Sequence, residues 1–120
     1  MNVSIAAYIE AQPAEWQPLL HATCSYILQQ APGLVTEHYR FKTPFFDYRG
    51  EWLCYISGKP TAKCPWITIG LVQGHRLSPY PEMIHGESLK QVRHVYIRSL
   101  SDLQNERLRW IFQEAMMLIK

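Results

Sequence analysis

Several common signatures of chemistry are missing from this chain. Its 120 residues contain no Gly-x-Ser-x-Gly, no His-Glu-x-x-His and no glycine-rich phosphate loop. The motif-based readings of hydrolase, zincin and nucleotide-binding protein therefore have no residues to rest on. No Cys-x-x-Cys pair exists, which removes zinc ribbons and thioredoxin-like redox sites. The three cysteines, Cys24, Cys54 and Cys64, are an odd number and argue against a disulfide framework. Charge is scarce at 18% of residues, and twelve basic against ten acidic groups give a net of +2. With no Lys/Arg run beyond Arg107 and Arg109, a nucleic-acid footprint is not expected. No long apolar span, secretory h-region or lipidation motif is seen, so a cytoplasmic protein without a membrane partner is expected.

What is present is a core. Apolar residues reach 48% and aromatics 12%, which is incompatible with disorder and fits one domain over 1–120. Asn2 to Gln12 can form a short helix, with Ser4 as cap and Ile5, Tyr8 and Ile9 on one face. Trp16, Leu19, Leu20, Thr23, Cys24, Ile27, Leu28 and Ala31 recur at three- and four-residue steps. They predict an amphipathic helix over 14–30, with Pro18 in its first turn and Pro32-Gly33 as its stop.

Beyond Leu34 the period drops to two. Strands are predicted over 37–42, 52–57, 66–72 and 91–98, with a short one at Phe45-Phe46 and a turn at Arg49-Gly50. Gly58-Lys59-Pro60 reads as a loop. The connection from Gln73 to Lys90 holds two prolines and two glycines, and a loop of that length is often functional. A final helix is predicted from Ser101, capped by its hydroxyl with Gln104 as capping-box partner, and striped by Leu108, Ile111, Phe112, Ala115, Leu118 and Ile119. The fold class expected is α+β: an antiparallel sheet with the N-terminal and C-terminal helices on one face, the other face partly wet.

Alternation suggests a site on that wet face. His38, Arg40 and Lys42 share one parity in the first strand, and His94, Tyr96 and Arg98 share one in the last. If the strands lie close, these groups and Tyr55 converge into a groove, and a non-enzymatic domain is expected that binds a small anion or a protein partner on this face and the 74–90 loop. The ordinary alternative is a solvated sheet face. Arg93 would then face the helices and need a buried partner such as Glu37 or Glu51. Pro44 breaks the run before Phe45 and Phe46, which point to opposite sides. One of them, taken as Phe46, is free to line a pocket. Cys24 and Cys54 read as packed residues. Cys64 sits in a loop that His75 or His85 could approach, and a thiol enzyme is a remote option. The same two histidines share their loop with Glu82 and Glu87. No catalytic residue, metal ligand set or cofactor is assigned, and self-association into a homodimer is left open.

Three stretches also carry a resemblance. Pro32-Gly33 followed by Glu37 to Phe46 and the Tyr48 to Glu51 turn is one; Ile69-Gly70-Leu71 leading to Gly74 and Leu77 is the second; Gln91 to Val95 is the third. Over about residues 13 to 119 the chain resembles the YdhG-like domain-of-unknown-function family. The resemblance implies a frataxin-like α+β fold, mostly without assigned activity, and some members have been proposed as iron chaperones. A carboxylate ridge on the first long helix is associated with that role. Here the helix offers only Glu15 and His21, so the metal-handling alternative has no matching ligands.

Overall fold

A computed structural model describes residues 2–57, 60–86 and 89–119. The predicted loop at Gly58-Lys59-Pro60 and the Glu87 of the long connection lie wholly or partly outside those residues.

The first helix, α1, spans Val3–Glu10. Asn2 caps it, its Oδ1 accepting the N–H groups of Ser4 and Ile5 at 2.8 and 3.3 Å. Ser4 is therefore inside the helix and is not its cap. Ile5 and Ile9, one turn apart, are buried. The predicted second helix divides in two. A 3₁₀ turn at Ala14–Trp16 precedes α2, Gln17–Leu28, with Pro18 in the first turn as expected. Leu19, Leu20, Thr23, Cys24 and Ile27 are its buried stripe. The Thr23 hydroxyl is satisfied by donating to the Leu19 carbonyl at 2.7 Å.

Five strands follow: β1 Val35–Arg40, β2 Thr43–Tyr48, β3 Glu51–Ser57, β4 Ile67–Leu71 and β5 Arg93–Ile97. Each pairs antiparallel with the next, and the spatial order is the chain order. The expected strand over 37–42 begins earlier and stops at Arg40. Phe41 and Lys42 are the two-residue turn between Arg40 and Thr43, at φ 53° and 62°. The second hairpin turns on Arg49 and Gly50, at φ 51° and 81°, where glycine meets the positive φ of the turn without penalty. Phe45-Phe46 belongs to a full strand. Pro44 brings no N–H to the ladder, and the Thr43 hydroxyl donates to the Ile56 carbonyl of β3 instead. A bulge opposite Phe46 and Asp47 leaves Leu53 and Cys54 both on the core side.

One buried cluster joins the layers. It takes Val35, Phe46, Cys54, Ile56, Ile67, Ile69, Val95 and Ile97 from the sheet, with Ile5, Leu20, Ile27, Leu108 and Phe112 from the helices. All three helices thus pack on the same face of the sheet. The last helix, α3, runs Glu106–Met117, later than expected. Leu100–Gln104 is a 3₁₀ turn whose start is held by Asp102, which accepts the N–H groups of Arg98 and Ser99 at 2.7 and 3.3 Å. Asn105 caps α3 through the Arg107 N–H at 2.9 Å. Ser101 and Gln104 do not form the cap.

The long connection is tied down at both sides. Glu114 of α3 accepts the N–H and hydroxyl of Ser78. His85 and His94 exchange backbone hydrogen bonds of 2.8 Å, so the loop pairs briefly with the outer edge of β5.

Candidate functional site

The linear strand order decides what can converge. β1 and β5 are the two edges of the sheet, four strand spacings or ~19 Å apart. His38 and Arg40 therefore do not meet His94, Tyr96 and Arg98, and the single basic groove does not form. The reason is simple: parity assigns a side chain to a face, not to a neighbour.

Each edge builds its own cluster on the face turned away from the helices. On the β1 side, Arg40 forks onto Asp47 with bonds of 2.6 and 2.8 Å. To reach it the guanidinium lies 5.2 Å over the Phe45 ring and 5.5 Å from that of Trp52. His38 Nε2 stands 3.3 Å from the same carboxylate. Asp47 is buried, and the Arg40 guanidinium compensates its charge, with the His38 ring beside it. The hydrogen bond to Asp47 raises the Arg40 pKa above its ordinary value. Arg40 is thus occupied as a structural partner and is not an open anion-binding fork.

Around it the rings of Phe41, Phe45, Trp52 and Tyr55 pack edge to face, tilted or stacked, with centroids 5.0 to 6.1 Å apart. They leave Phe45 only 4% exposed, while Phe41 remains 75% exposed. Phe46, the expected pocket residue, is fully buried in the core. Its neighbour Phe45 takes the outward position. Tyr55 lies flat across Gly70 of β4: a Cβ there would fall 2.2 to 2.6 Å from its ring and hydroxyl. Burial raises the Tyr55 pKa, so the phenol stays a hydrogen-bond donor at neutral pH.

A cleft of about 500 Å³ opens beside this cluster, at the Phe41-Lys42 turn. Phe41, Phe45 and Tyr55 line it with Lys42, Thr43, Ser57 and Tyr8 of α1. The expected Lys42 and Tyr55 are present. Tyr8, Phe41, Thr43, Phe45 and Ser57 are additions. A broader depression of about 730 Å³ at the other end of the sheet carries both Glu51 and Arg76, with Trp52 as the one aromatic ring among its described lining residues.

On the β5 side, Tyr96 is sandwiched between Trp66 at 4.7 Å and His85 at 4.4 Å. Arg98 lies over Trp66 and Tyr96, at 5.0 and 5.8 Å. A smaller cleft of about 230 Å³ adjoins them, where Arg98 and Arg107 stand with Glu82 and Asp102. Arg93 finds no carboxylate among the described residues; it donates to the Leu89 and Val92 carbonyls, both at 2.9 Å. Among the described residues no group of three or more His, Cys, Asp or Glu side chains comes together. Cys24 is pushed up to about 12 and Cys54 also upward, both chiefly by burial, and Cys64 is exposed.

His94 supplies a pH prediction. Burial first, then the nearby His85, lowers its pKa from the ordinary 6.5. The folded protein thus binds that proton less readily than the unfolded chain. The contribution is complete above pH 6.5 and drains as pH falls through the lower folded value. Urea titrations at pH 7 and pH 5 should show wild type losing more stability between them than His94→Gln. Equal losses would count against it.

Compared with protein-family models, with curated proteins and with solved structures, the chain matches none.

Proposed function

We propose that this domain binds a small ligand in the cleft at the Phe41-Lys42 turn and is not an enzyme. The observation that carries the reading is the backbone of that turn. A two-residue hairpin with both residues at positive φ is ordinarily written Asn-Gly or Asp-Gly. Phe and Lys pay about 1–2 kcal/mol each to sit in the left-handed region. Turning the chain does not require them. Both side chains line the cleft, and Phe41 is held largely in solvent. Strain retained at a rim with an exposed ring is the pattern of a binding site.

The cytoplasmic location, the lack of nucleic-acid and membrane partners and the resemblance to the YdhG-like family belong to the same proposal. No helix among the described residues is long and apolar enough to cross a membrane. A protein partner remains the alternative occupant of the ring-covered face. No observation favours the metal-handling reading.

Lys42→Gly tests the proposal. It relieves one strained φ at an exposed position, so stability should rise by roughly 0.5–1 kcal/mol, strain relief less the added chain entropy of glycine. Anilinonaphthalene sulfonate fluorescence should increase with the wild-type native protein and weaken with Lys42→Gly and Phe41→Ala. An undiminished signal in both variants would refute the cleft as the site.

A further inference from the structure

We infer that the ligand of this cleft is a flat aromatic body carrying a single negative charge, such as an arene carboxylate. The inference rests on the cleft being the binding site, and it concerns what the cleft selects.

Ring chemistry sets the shape. Tyr55 stacks on Phe45 at 5.7 Å with 25° between their planes, and because Phe45 is only 4% exposed it backs the half-buried Tyr55 ring, which is the floor. Phe41 stands over it at 56° to Phe45, a wall on one side. A planar guest can lie on the floor with its edge toward the wall, the geometries arenes prefer. A volume of about 500 Å³ lies in the range of small-molecule sites.

Charge sets the rest. Among the described lining residues there is one cation, Lys42, and no carboxylate. Lys42 has no ion pair among the described residues. Asp47, the acidic group nearest in the cluster, is already held by Arg40 and His38. The described lining residues therefore present one positive charge without an ion-pair partner among the described residues. A phosphate dianion would call for a guanidinium fork or several converging donors. The fork of Arg40 is engaged, and the Thr43 hydroxyl is spent on the Ile56 carbonyl. The Ser57 hydroxyl remains as a neutral donor beside Lys42, enough for one carboxylate.

Calorimetric titration with four probes tests this: 2-naphthoate, 2-naphthamide, decahydronaphthalene-2-carboxylate and inorganic phosphate. Naphthoate should bind at least tenfold tighter than each of the others. Lys42→Gln, confirmed as folded by its thermal transition, should bring naphthoate and naphthamide to equal affinity. Equal binding of the two by wild type would overturn the charge and leave the cleft standing. Equal binding of the decahydro acid would overturn the aromatic requirement, and phosphate as the tightest ligand would overturn both. If no probe binds the folded protein, the cleft reading falls with the inference. Unchanged naphthoate affinity in Phe41→Ala would place binding elsewhere and overturn both as well.

Discussion

Arg40→Ala is expected to lower the stability of the fold by about 2–3 kcal/mol, measured by urea denaturation. Removing one partner of a buried ion pair costs about 3–5 kcal/mol when the survivor is left uncompensated. Two features place Arg40 below the top of that range. Its own side chain is 28% exposed, and His38 stays 3.3 Å from the carboxylate. One feature adds to the loss: the guanidinium covers Phe45 and Trp52, an interaction worth roughly 0.5–1 kcal/mol. Arg40→Lys should recover part of the loss, because an ammonium restores the charge but not the two parallel bonds. Arg98→Ala is the contrast. Arg98 covers rings in the same way but is exposed and has no carboxylate side-chain partner among the described residues, so its loss should stay below about 1 kcal/mol. If the two alanine variants melt together, the account of Asp47 as a buried charge held by Arg40 is wrong.

Gly74→Ala should be comparably damaging, by about 2–3 kcal/mol, for a different reason. Gly74 opens the connection between β4 and β5 and sits against the first residue of β5. A Cβ there would come 2.5 Å from the Arg93 Cβ and 2.6 Å from its backbone nitrogen. A strand backbone cannot swing aside as a side-chain tip can, so the loop or the strand must move. The His75 N–H to Gln91 carbonyl bond of 2.9 Å spans the same contact and should go with it. Gly50→Ala serves as the comparison: nothing lies within 4 Å of its added Cβ, and only the φ of +81° penalises it. That variant should lose about 1 kcal/mol. Amide exchange at His85 and His94 should quicken in Gly74→Ala alone. Gly74→Ala and Gly50→Ala of equal stability would remove the steric explanation.

The helices and strands were readable because burial imposes their periods. The stripe from Leu19 to Ile27 and the alternation of Val95 and Ile97 needed no tertiary information. The site was harder. That Phe45 and Phe46 face opposite ways follows from adjacency alone. Which one enters the core follows from register, and a shift of one residue exchanges them. Register here is set by the Phe41-Lys42 turn, which contains neither of the residues that usually announce one. The two-residue gap between the alternating runs His38-Arg40 and Thr43-Phe45 was the available signal. The order of strands across the sheet leaves no trace in parity, so parity alone groups residues of both edges in one groove. Ser101 reads as a cap from the sequence, but Asp102, one residue on, makes the competing bonds to Arg98 and Ser99.

Because every strand lies beside its sequence neighbour, the sheet can assemble by successive zippering. Bringing β1 to β2 and β2 to β3 closes only two-residue loops, and their side-chain contacts reward closure at once. Uniting β4 with β5 asks the chain to close the long connection, a logarithmic entropy difference of about 2 kcal/mol relative to those turns. Folding should therefore nucleate in the segment from Val35 to Ser57, the same segment that carries the ringed cleft. The ringed cleft would then be among the earliest parts of the molecule to take shape, with β5 and its loop added last.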